Sequence, residues 1–382
     1  MLKKCHSIAD LRSLAQRRLP KVMFDYIDGA AEDEVTLARN SSGFGRWQFM
    51  PRALVDASKI DLSTRVQGAD IALPFLLSPT GGSRLFHHRG ELAVAAAAAA
   101  AGTIYSLSSM STHDIETVAA HTRGDKWFQI YVWKDRTVVR EFIQRCKASG
   151  YKALCLTVDV ATPGKRERDL RNGFTLPPRF TAASLFDMAL HPAWWWHALT
   201  GPRITLANVI GKAGIGLNSA TSLGQYANSQ LDSSVTWDDM AWMIREWGGP
   251  FLIKGILSTE DAKRAVELGC TGVILSNHGG RQLDHSAAPI DVLPDIVAAV
   301  GGLTEIIVDG GIRRGSDVVK ALALGATSCM IGRAYLYGLA AGGEKGVKHA
   351  LNLLQDEIKR TLILLGCPDV KNLNRSYLRR TD

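Results

Sequence analysis

The sequence predicts an α/β fold, a (β/α)8 TIM barrel with an N-terminal helical cap and a long insertion after the fourth barrel strand. The first observation is that short apolar runs rich in β-forming residues alternate with helical patterns from residue 74 onward. The second is that these runs number eight and are apolar enough to be buried on both faces. Such strands favour a closed barrel over an open, doubly wound sheet.

The predicted strands follow one another along the chain, each with a helical pattern after it. GELAVAAAAAAAG follows the first strand, and RGSDVVKALALG follows the seventh. Several of these helices end at glycine, the residue that adopts the left-handed conformation of a helix C-cap at least cost. The strands are PFLLSP (74–79), TIYSL (103–107), WFQIYV (127–132), ALCLTVD (153–159), PFLIKG (250–255), TGVILSN (271–277), TEIIVDG (304–310) and SCMIGR (328–333).

The remaining segments are predicted to complete a single domain around this barrel. Residues 74–160 and 236–345 supply the barrel, and residues 1–73 form the N-terminal cap. Residues 161–235 are much longer than an ordinary βα loop, so we interpret them as an insertion that acts as a lid or a membrane-contact segment. Residues 346–382 are predicted to be a C-terminal helical tail.

Composition and charge narrow the class of protein. Hydrophobic residues make up 46% and charged residues 21%, which is typical of a globular enzyme. The net charge of +8 favours anionic substrates, cofactors or membrane surfaces. No nucleic-acid recognition motif accompanies the basic residues, so we expect no nucleic-acid partner. The N-terminus lacks a secretory signal and the cysteines lack a C-x-x-C pair, so we expect a cytoplasmic protein with no metal site.

Candidate site residues follow from the fold alone. In a (β/α)8 barrel the active site gathers at the C-terminal ends of the strands, so the polar residues there are candidates before any family is considered. They are Thr80, Gly81, Ser108, Gln129, Tyr131, Thr157, Asp159, Lys254, Ser276, His278, Asp309, Gly310, Gly311, Gly332 and Arg333.

The ends of the seventh and eighth strands, IIVDGGIRRG and MIGRAYLYG, predict a phosphate site. Consecutive glycines let backbone N–H groups approach an anion at a helix N-terminus, and Arg313 or Arg333 can bind it through two nitrogens. The alternative is that DGG is only a tight turn. The sequence has no G-x-G-x-x-G that opens a βαβ unit and no P-loop, so neither kind of nucleotide site is expected.

The sixth strand ends in SNHGGRQLD, where two glycines separate His278 from Arg281. Histidine titrates near neutrality and can take up a proton, while the arginine can hold a carboxylate beside it. The alternative is a core histidine that is bonded to a backbone carbonyl. Asp159 could support the protonated histidine, as a carboxylate does in a catalytic triad.

Lys254 and the segment GKRERDLRN leave more alternatives open. Lys254 could form a Schiff base, stabilise charge on a cofactor or belong to a structural ion pair. Arg166 and Arg168 could each be a second carboxylate clamp, or the segment could be a solvated loop.

At this point the motifs resemble a known family. SNHGGRQLD, TVDVATPGKRERDLRN, FQIYV, LSPTGG, IKGI and DGGIRRGSDVVKALALGA resemble those of the FMN-dependent L-2-hydroxy acid oxidases and dehydrogenases. The likeness covers nearly the whole chain, and it is greatest to the bacterial membrane-associated (S)-mandelate dehydrogenases and L-lactate dehydrogenases. The resemblance implies FMN as cofactor and the oxidation of lactate, mandelate or a similar acid to its 2-oxo acid.

The resemblance also implies a role for each matching residue. His278 would be the catalytic base, and Asp159 would stabilise its protonated form. Arg166 and Arg281 would bind the substrate carboxylate, with Lys254 near flavin N1. Tyr26 and Tyr131 would hydrogen-bond the substrate; Thr80, Gly81, Ser108, Gln129, Thr157 and Ser276 would contact the flavin; and Asp309, Gly311, Arg313, Gly332 and Arg333 would hold the ribityl phosphate end. A hydride and a carbanion mechanism both stay open.

Two positions bear on the electron acceptor and the substrate. Gly81 stands where the oxidases that the chain resembles usually have alanine, which favours a dehydrogenase that passes its electrons to a membrane quinone. An oxidase that produces hydrogen peroxide is the alternative. Met110 stands where plant-type glycolate oxidases have tryptophan, which indicates a roomier pocket. A non-redox FMN isomerase and a non-catalytic scaffold are alternatives from other classes.

The tryptophans at 194, 195 and 196 match the segment that attaches mandelate dehydrogenase to the membrane. Tryptophan suits a membrane interface, where its ring is buried and its N–H stays wet. We therefore expect peripheral contact with the inner face of the cytoplasmic membrane; a lid or an oligomer contact is the alternative. The resemblance further implies a homo-oligomer, commonly a tetramer.

Overall fold

Eight parallel strands close a barrel in the computed structural model, which describes residues 1–175, 179–200, 203–209 and 229–381. All eight predicted strands are confirmed. In chain order the strands are β1 (Trp47–Phe49), β2 (Thr64–Val66), β3 (Ala69–Ile71), β4 (Phe75–Leu77), β5 (Tyr105–Ser108), β6 (Lys126–Ile130), β7 (Ala153–Thr157), β8 (Phe251–Ile256), β9 (Gly272–Leu275), β10 (Glu305–Asp309), β11 (Ser328–Ile331) and β12 (Leu378–Arg380). Strands β4 to β11 form the barrel, and β11 pairs with β4 to close it.

The strand register brings polar strand ends side by side. Ser108 is paired with Gln129 across β5 and β6, and Thr157 is paired with Lys254 across β7 and β8. The register shifts between Lys254 and Ile256, where Gly255 has a φ of +105°. A Cβ on Gly255 would lie 2.8 Å from the Cβ of Asp159, so the glycine leaves room for Asp159 to lie over the end of β8.

The interior of the barrel is filled in its N-terminal half. Trp127, Leu252 and Met330 belong to a buried cluster to which seven of the eight barrel strands contribute, together with Ile104 just before β5. The β2–β3 hairpin adds Val66 and Ile71 to this cluster. The backbone N–H of Gln67, at the tip of the hairpin, donates to the Glu305 carboxylate at 2.9 Å. The hairpin therefore closes the N-terminal end, and open space is left at the other end.

Helices surround the barrel and extend it at both termini. They are α1 (Ile8–Arg18), α2 (Lys21–Asp28), α3 (Val35–Ser42), α4 (Gly90–Ala100), α5 (Ile115–His121), α6 (Arg136–Ala148), α7 (Glu167–Arg171), α8 (Ala182–Ala189), α9 (Pro192–Thr200), α10 (Trp237–Trp247), α11 (Thr259–Glu267), α12 (Pro289–Val300), α13 (Gly315–Ala323) and α14 (Arg333–Leu365). Within the described ranges, no helix has both the length and the apolar character needed to cross a membrane.

The C-terminal part of the chain combines a helix and a strand. Helix α14 begins directly after the last barrel strand and continues through the expected boundary at residue 345, with non-helical backbone at Gly342 and Gly343. It packs against α1 of the N-terminal cap. Residues 378–380 form β12, which pairs antiparallel with β1. The tail therefore ties the two ends of the chain together.

Candidate active site

A cavity of about 770 Å³ lies at the C-terminal ends of the barrel strands. Most of the residues that the sequence predicts for the site line it: Tyr26, Thr80, Gly81, Gln129, Tyr131, Thr157, Arg166, Lys254, His278, Arg281, Asp309, Gly311, Arg313, Gly332 and Arg333. Ser108, Asp159 and Ser276 lie behind this lining, where each contacts a lining residue: Gln129, His278 and Lys254 respectively. The structure thus brings the predicted residues together in two layers.

The turn after β9 aims the imidazole of His278. His278 has a φ of +57°, in the left-handed region that residues other than glycine rarely adopt, and Gly279 and Gly280 follow it in the same region. Its backbone N–H donates to the Ser276 hydroxyl at 3.1 Å. Nδ1 lies 3.0 Å from Oδ1 of Asp159. We assign the Nδ1 proton to this bond, which leaves Nε2 as the proton acceptor.

The surroundings of His278 keep its ring neutral. Burial lowers the pKa of His278, Asp159 raises it, and Lys254 and Arg166 lower it; the net pKa is below the ordinary value of 6.5. Oδ2 of Asp159 is buried with no hydrogen-bond partner among the described residues. A neutral imidazole beside an aspartate is the arrangement of a general base whose protonated form is then stabilised.

Two arginines line the same cavity. Arg281 donates through Nη1 to the carbonyl oxygens of Tyr26, at 2.6 Å, and Gly29, at 3.0 Å. Its guanidinium carbon lies 4.9 Å from the centre of the Tyr26 ring. Burial and the nearby Arg166 lower the pKa of Arg281 to about 9, so a bound carboxylate would relieve an electrostatic cost.

Arg166, and not Arg168, belongs to the cavity. Nη2 of Arg166 lies 3.3 Å from Oε1 of Gln282, and the side chain lines the cavity. Arg168 is held by Asp28 at 3.1 Å and by Glu34, away from the cavity lining. Of the two alternatives for the second carboxylate clamp, the geometry therefore favours Arg166.

Tyr131 lies beside the histidine. The centres of the Tyr131 and His278 rings are 6.4 Å apart, with an interplanar angle of 29°. Burial raises the pKa of Tyr131, and Asp159 raises it further. The phenol therefore stays protonated at neutral pH and can donate a hydrogen bond into the cavity.

Lys254 forms a buried ion pair. Its Nζ lies 2.8 Å from Oδ2 of Asp309 and 2.8 Å from the Ser276 hydroxyl. Burial alone would lower the pKa of Lys254, but Asp309 and Asp159 raise it above its ordinary value. The amine is therefore charged at neutral pH, and a Schiff base, which needs the neutral amine, is disfavoured.

The hydrogen-bond donors at the cavity are of the kind that an FMN ring needs. Ser108 donates to Oε1 of Gln129 at 2.8 Å, so the Gln129 amide is held in one orientation. Nε2 of Gln129 and Oγ1 of Thr157 are both buried without a hydrogen-bond partner in the described part of the chain. Together with charged Lys254 they form a set of donors that suits the oxygen- and nitrogen-rich edge of an isoalloxazine ring.

The predicted phosphate end also fits. Gly311 has a φ of +80°, and a Cβ there would lie 1.9 Å from the carbonyl oxygen of Asn40, so only glycine can occupy this position. Arg333 begins α14, and three carbonyl oxygens within 2.9 Å fix its guanidinium. Burial lowers the pKa of Arg333 to about 10. A helix N-terminus beside Arg333 and Arg313 suits a phosphate dianion.

Sequence reasoning identified Met110 but missed the rest of the apolar wall of the cavity. This wall comes from α2, from the loops after β4 and β5 and from the insertion, and it contains Met23, Phe86, Met110, Phe174, Phe180, Ile204 and Leu206. Asp169, a buried carboxylate in α7, lines the cavity as well and was also missed. Its position in RERD, three residues after Arg166, could have marked Asp169 as a site residue. Apart from Met110, no local pattern distinguished the apolar wall residues from ordinary core residues.

The fold and the site define a flavin-dependent oxidoreductase of the TIM-barrel class. The family model described as "FMN-dependent dehydrogenase" matches residues 15–380, and the chain belongs to this family. The fold class, the FMN cofactor and the oxidation of a 2-hydroxy acid, all predicted above, are confirmed.

Several named relatives are similar to this chain over nearly its whole length. The chain is 44% identical to a putative L-lactate dehydrogenase of Mycobacterium tuberculosis, over 97% of this chain and 88% of that protein. It is 42% identical to (S)-mandelate dehydrogenase of Pseudomonas putida (99% and 95%) and 43% identical to L-lactate oxidase of Nostoc sp. (97% and 97%). A crystal structure of the monotopic membrane protein (S)-mandelate dehydrogenase superposes with a TM-score of 0.95, at 42% identity over 99% of this chain and 100% of that one.

Proposed function

We propose that this enzyme oxidises an L-2-hydroxy acid with a large apolar side chain to the 2-oxo acid and passes the electrons to a membrane quinone. One observation carries the proposal: a neutral histidine paired to an aspartate lines the same cavity as two arginines, and the rest of the wall is largely apolar. This combination suits a substrate that has a carboxylate and a hydroxyl at one end and an apolar group at the other.

In the proposed mechanism, Arg166 and Arg281 bind the substrate carboxylate, and Tyr131 and Tyr26 donate hydrogen bonds. His278 takes up a proton as C2 is oxidised, and Asp159 stabilises the imidazolium through the bond at Nδ1. Bound FMN supplies the two-electron acceptor for this oxidation. These residues serve a hydride and a carbanion mechanism equally, since each needs one base beside C2.

The proposed cofactor contacts follow the two layers of the site. Lys254 holds a positive charge at the floor of the cavity, and Gln129 and Thr157 direct their free donors into it. Behind them, Ser108 and Ser276 act through the residues that they bond. The flavin contacts assigned to Thr80 and Gly81, and the phosphate contacts assigned to Asp309, Gly311, Arg313, Gly332 and Arg333, are part of the proposal and are supported by the position of these residues in the cavity lining.

The apolar wall supports a substrate with an aromatic or long aliphatic side chain. Met110, Phe174 and Leu206 offer carbon surface against which a phenyl group would bury more area than a methyl group. Since each buried CH2 contributes about 0.8 kcal/mol, a phenyl group should be preferred over a methyl group by more than about tenfold. We therefore propose mandelate, or an acid of similar size, rather than lactate.

Helices α8 and α9 support contact with a membrane. Phe186 is 69% exposed, Leu190 is 62% exposed and Trp196 is 58% exposed, although these side chains are large and apolar. Trp194 instead faces the protein, with Nε1 donating to the carbonyl oxygen of Leu85 at 2.8 Å. We propose that the exposed side chains enter the inner leaflet of the cytoplasmic membrane, where the enzyme reduces quinone. Assembly as a homotetramer belongs to the same proposal.

The proposal is tested by anaerobic bleaching of the purified holoenzyme. L-mandelate should bleach the flavin absorbance at lower concentration than L-lactate, and D-mandelate should not bleach it. A water-soluble quinone should then restore the absorbance faster than air does. Peroxide formed in step with substrate turnover would establish an oxidase instead, and a flavin that no 2-hydroxy acid bleaches would overturn the proposed chemistry.

A further inference from the structure

Glu91 is a buried carboxylate that the mechanism does not use. It lies in the first turn of α4, outside the cavity lining, and its exposed fraction is 0%. Burial would raise the pKa of the Glu91 carboxyl, but hydrogen bonds from His113 and Thr112 bring it below its ordinary value, so the group is ionised at neutral pH. A buried charge is retained only where its hydrogen bonds repay its desolvation.

The carboxylate of Glu91 joins two loops of the active site. Oε1 accepts from the backbone N–H of Ser83 at 3.2 Å, in the loop after β4, and from that of Thr112 at 2.8 Å, in the loop after β5. Oε2 accepts from the Thr112 hydroxyl at 2.6 Å and lies 2.7 Å from Nδ1 of His113. One side chain therefore holds both loops through four hydrogen bonds.

The same two loops supply Gly81 and Met110 to the cavity. They meet tightly: the backbone N–H of Gly82 donates to the Met110 carbonyl at 3.1 Å. A Cβ built on Gly81 would lie 3.0 Å from both the Cβ and the carbonyl oxygen of Met110. Gly81 and Met110 are thus in close contact, and the bonds of Glu91 hold together the two loops that carry them.

We propose that Glu91 is a positioning residue that sets the separation of Gly81 and Met110, and thereby the width of the cavity between them. The inference rests on the proposed function only in that this part of the cavity holds FMN and the substrate. It makes Glu91 a determinant of cofactor affinity and of the preference for large over small 2-hydroxy acids.

The first test is Glu91→Gln, which keeps the shape of the side chain and removes the charge. The matched control is Glu246→Gln, which removes the charge of a carboxylate that accepts from Nε2 of Gln144 at 2.7 Å on the outer surface of the barrel. FMN binding is measured by titrating each apoenzyme with FMN and following the quenching of flavin fluorescence. Glu91→Gln should weaken FMN binding about tenfold, a change of ~1.4 kcal/mol, and the control should leave it unchanged.

The second test is a double-mutant cycle with Gly81→Ala, because a merely structural role of Glu91 would not couple to that position. Gly81→Ala should weaken FMN binding by forcing its methyl group against Met110. If Glu91 holds the loops together, Glu91→Gln lets them separate, and the double variant should bind FMN at least about threefold more tightly than the product of the single effects. The KM ratio of L-mandelate to L-lactate should change in the same variants.

Additive effects on FMN binding, with a KM ratio equal to that of the wild type, would overturn the inference. If Glu91→Gln does not fold, Thr112→Val keeps the side-chain shape and removes one of the four bonds, together with the acceptor of the Arg84 N–H. Its coupling to Gly81→Ala should have the same sign. The FMN titration needs no substrate, so it tests Glu91 even if no 2-hydroxy acid bleaches the wild-type flavin. Conversely, an additive cycle leaves the proposed oxidation intact.

Discussion

Replacing His278 can remove the catalytic base and can also strain the left-handed backbone at this position, and two variants separate these effects. Alanine at this position would lose the base and also meet the left-handed backbone at φ +57°, whereas asparagine adopts this conformation more readily. His278→Asn should therefore lower kcat by at least about 100-fold with little change in unfolding temperature, and His278→Ala should lower both. Stopped-flow flavin reduction and thermal unfolding of the FMN-loaded variants measure the two effects. A His278→Asn variant that keeps most of its turnover would exclude His278 as the base.

The environment of His278 also predicts a pH dependence. The ring must be neutral to act as a base, and its pKa lies below the ordinary 6.5. The value of kcat/KM should therefore rise with pH through a midpoint below 6.5 and then level off. Asp159→Asn removes an interaction that raises this pKa, so it should move the midpoint to lower pH and reduce the plateau. A midpoint above 6.5 in the wild type would contradict this account of the site.

At the scale of single residues, most of the residues that strand-end position selected do line the cavity. Strand-end position could not separate the residues that face the cavity from those one layer behind. Ser108 and Ser276 end up in the second layer because their hydroxyls bond Gln129 and Lys254, and these bonds depend on the barrel register rather than on local sequence. Glu91 had no such signal, since it lies in an alanine-rich helix far from any motif.

Among the elements, residues 203–209 anchor a described part of the insertion to the outside of the barrel. Asn208 is 1% exposed and accepts from the backbone N–H of Ile115 at 3.0 Å; its amide donates to the Ser111 hydroxyl at 2.9 Å. This anchor holds Ile204 and Leu206 against the cavity. Asn208→Ala should raise KM for L-mandelate about threefold to tenfold with a smaller change in kcat, since buried hydrogen bonds are lost away from the reacting atoms.

The control for Asn208→Ala is Asn374→Ala, which removes an exposed asparagine that bonds only residues close to it in the C-terminal loop. Both variants are compared by steady-state kinetics and thermal unfolding. Equal KM values in the two variants would show that residues 203–209 do not shape the substrate pocket.

Three exposed apolar side chains, in α8, in α9 and between them, predict membrane binding. Replacing Phe186, Leu190 and Trp196 by serine should weaken sedimentation with phosphatidylglycerol vesicles about tenfold or more, because each side chain contributes one to a few kcal/mol of burial. Anaerobic bleaching should be unaffected. The control replaces Leu303 and Leu364, which are 72% and 70% exposed elsewhere on the surface. Equal binding of the two variants would exclude α8 and α9 as the contact.

Elements with a strong local pattern were predicted well, and those made by distant pairing were not. The barrel strands are continuous apolar runs, so periodicity finds them. By contrast, β12 is the sequence LRR, which indicates no strand by itself; it becomes one because β1, more than three hundred residues away, offers Gln48 as the partner of Arg379. The small sheets and the apolar wall of the cavity depend on such long-range contacts.

For the whole molecule, FMN should contribute substantially to stability. Without it, the described residues leave the buried donors of Gln129 and Thr157 unpaired, and the charged, buried Lys254 lines the cavity. FMN at about 100 times its Kd should stabilise the fold by ~2.7 kcal/mol and raise the unfolding temperature by several degrees. Thermal unfolding of the apoenzyme with and without added FMN measures the shift, with riboflavin as the matched control for the phosphate contacts. An unchanged midpoint with FMN would contradict the proposed cofactor site.

The hairpin that closes the N-terminal end of the barrel bears on how small molecules enter and leave the cavity. Because Val66 and Ile71 help to fill the N-terminal end of the barrel, the described residues leave the cavity open at the rim formed by the loops at the other end. We therefore expect the hydroxy acid, the oxo acid and the electron acceptor to use the same opening. The oxo acid should leave before the electron acceptor enters, so the two reactants should bind in alternation.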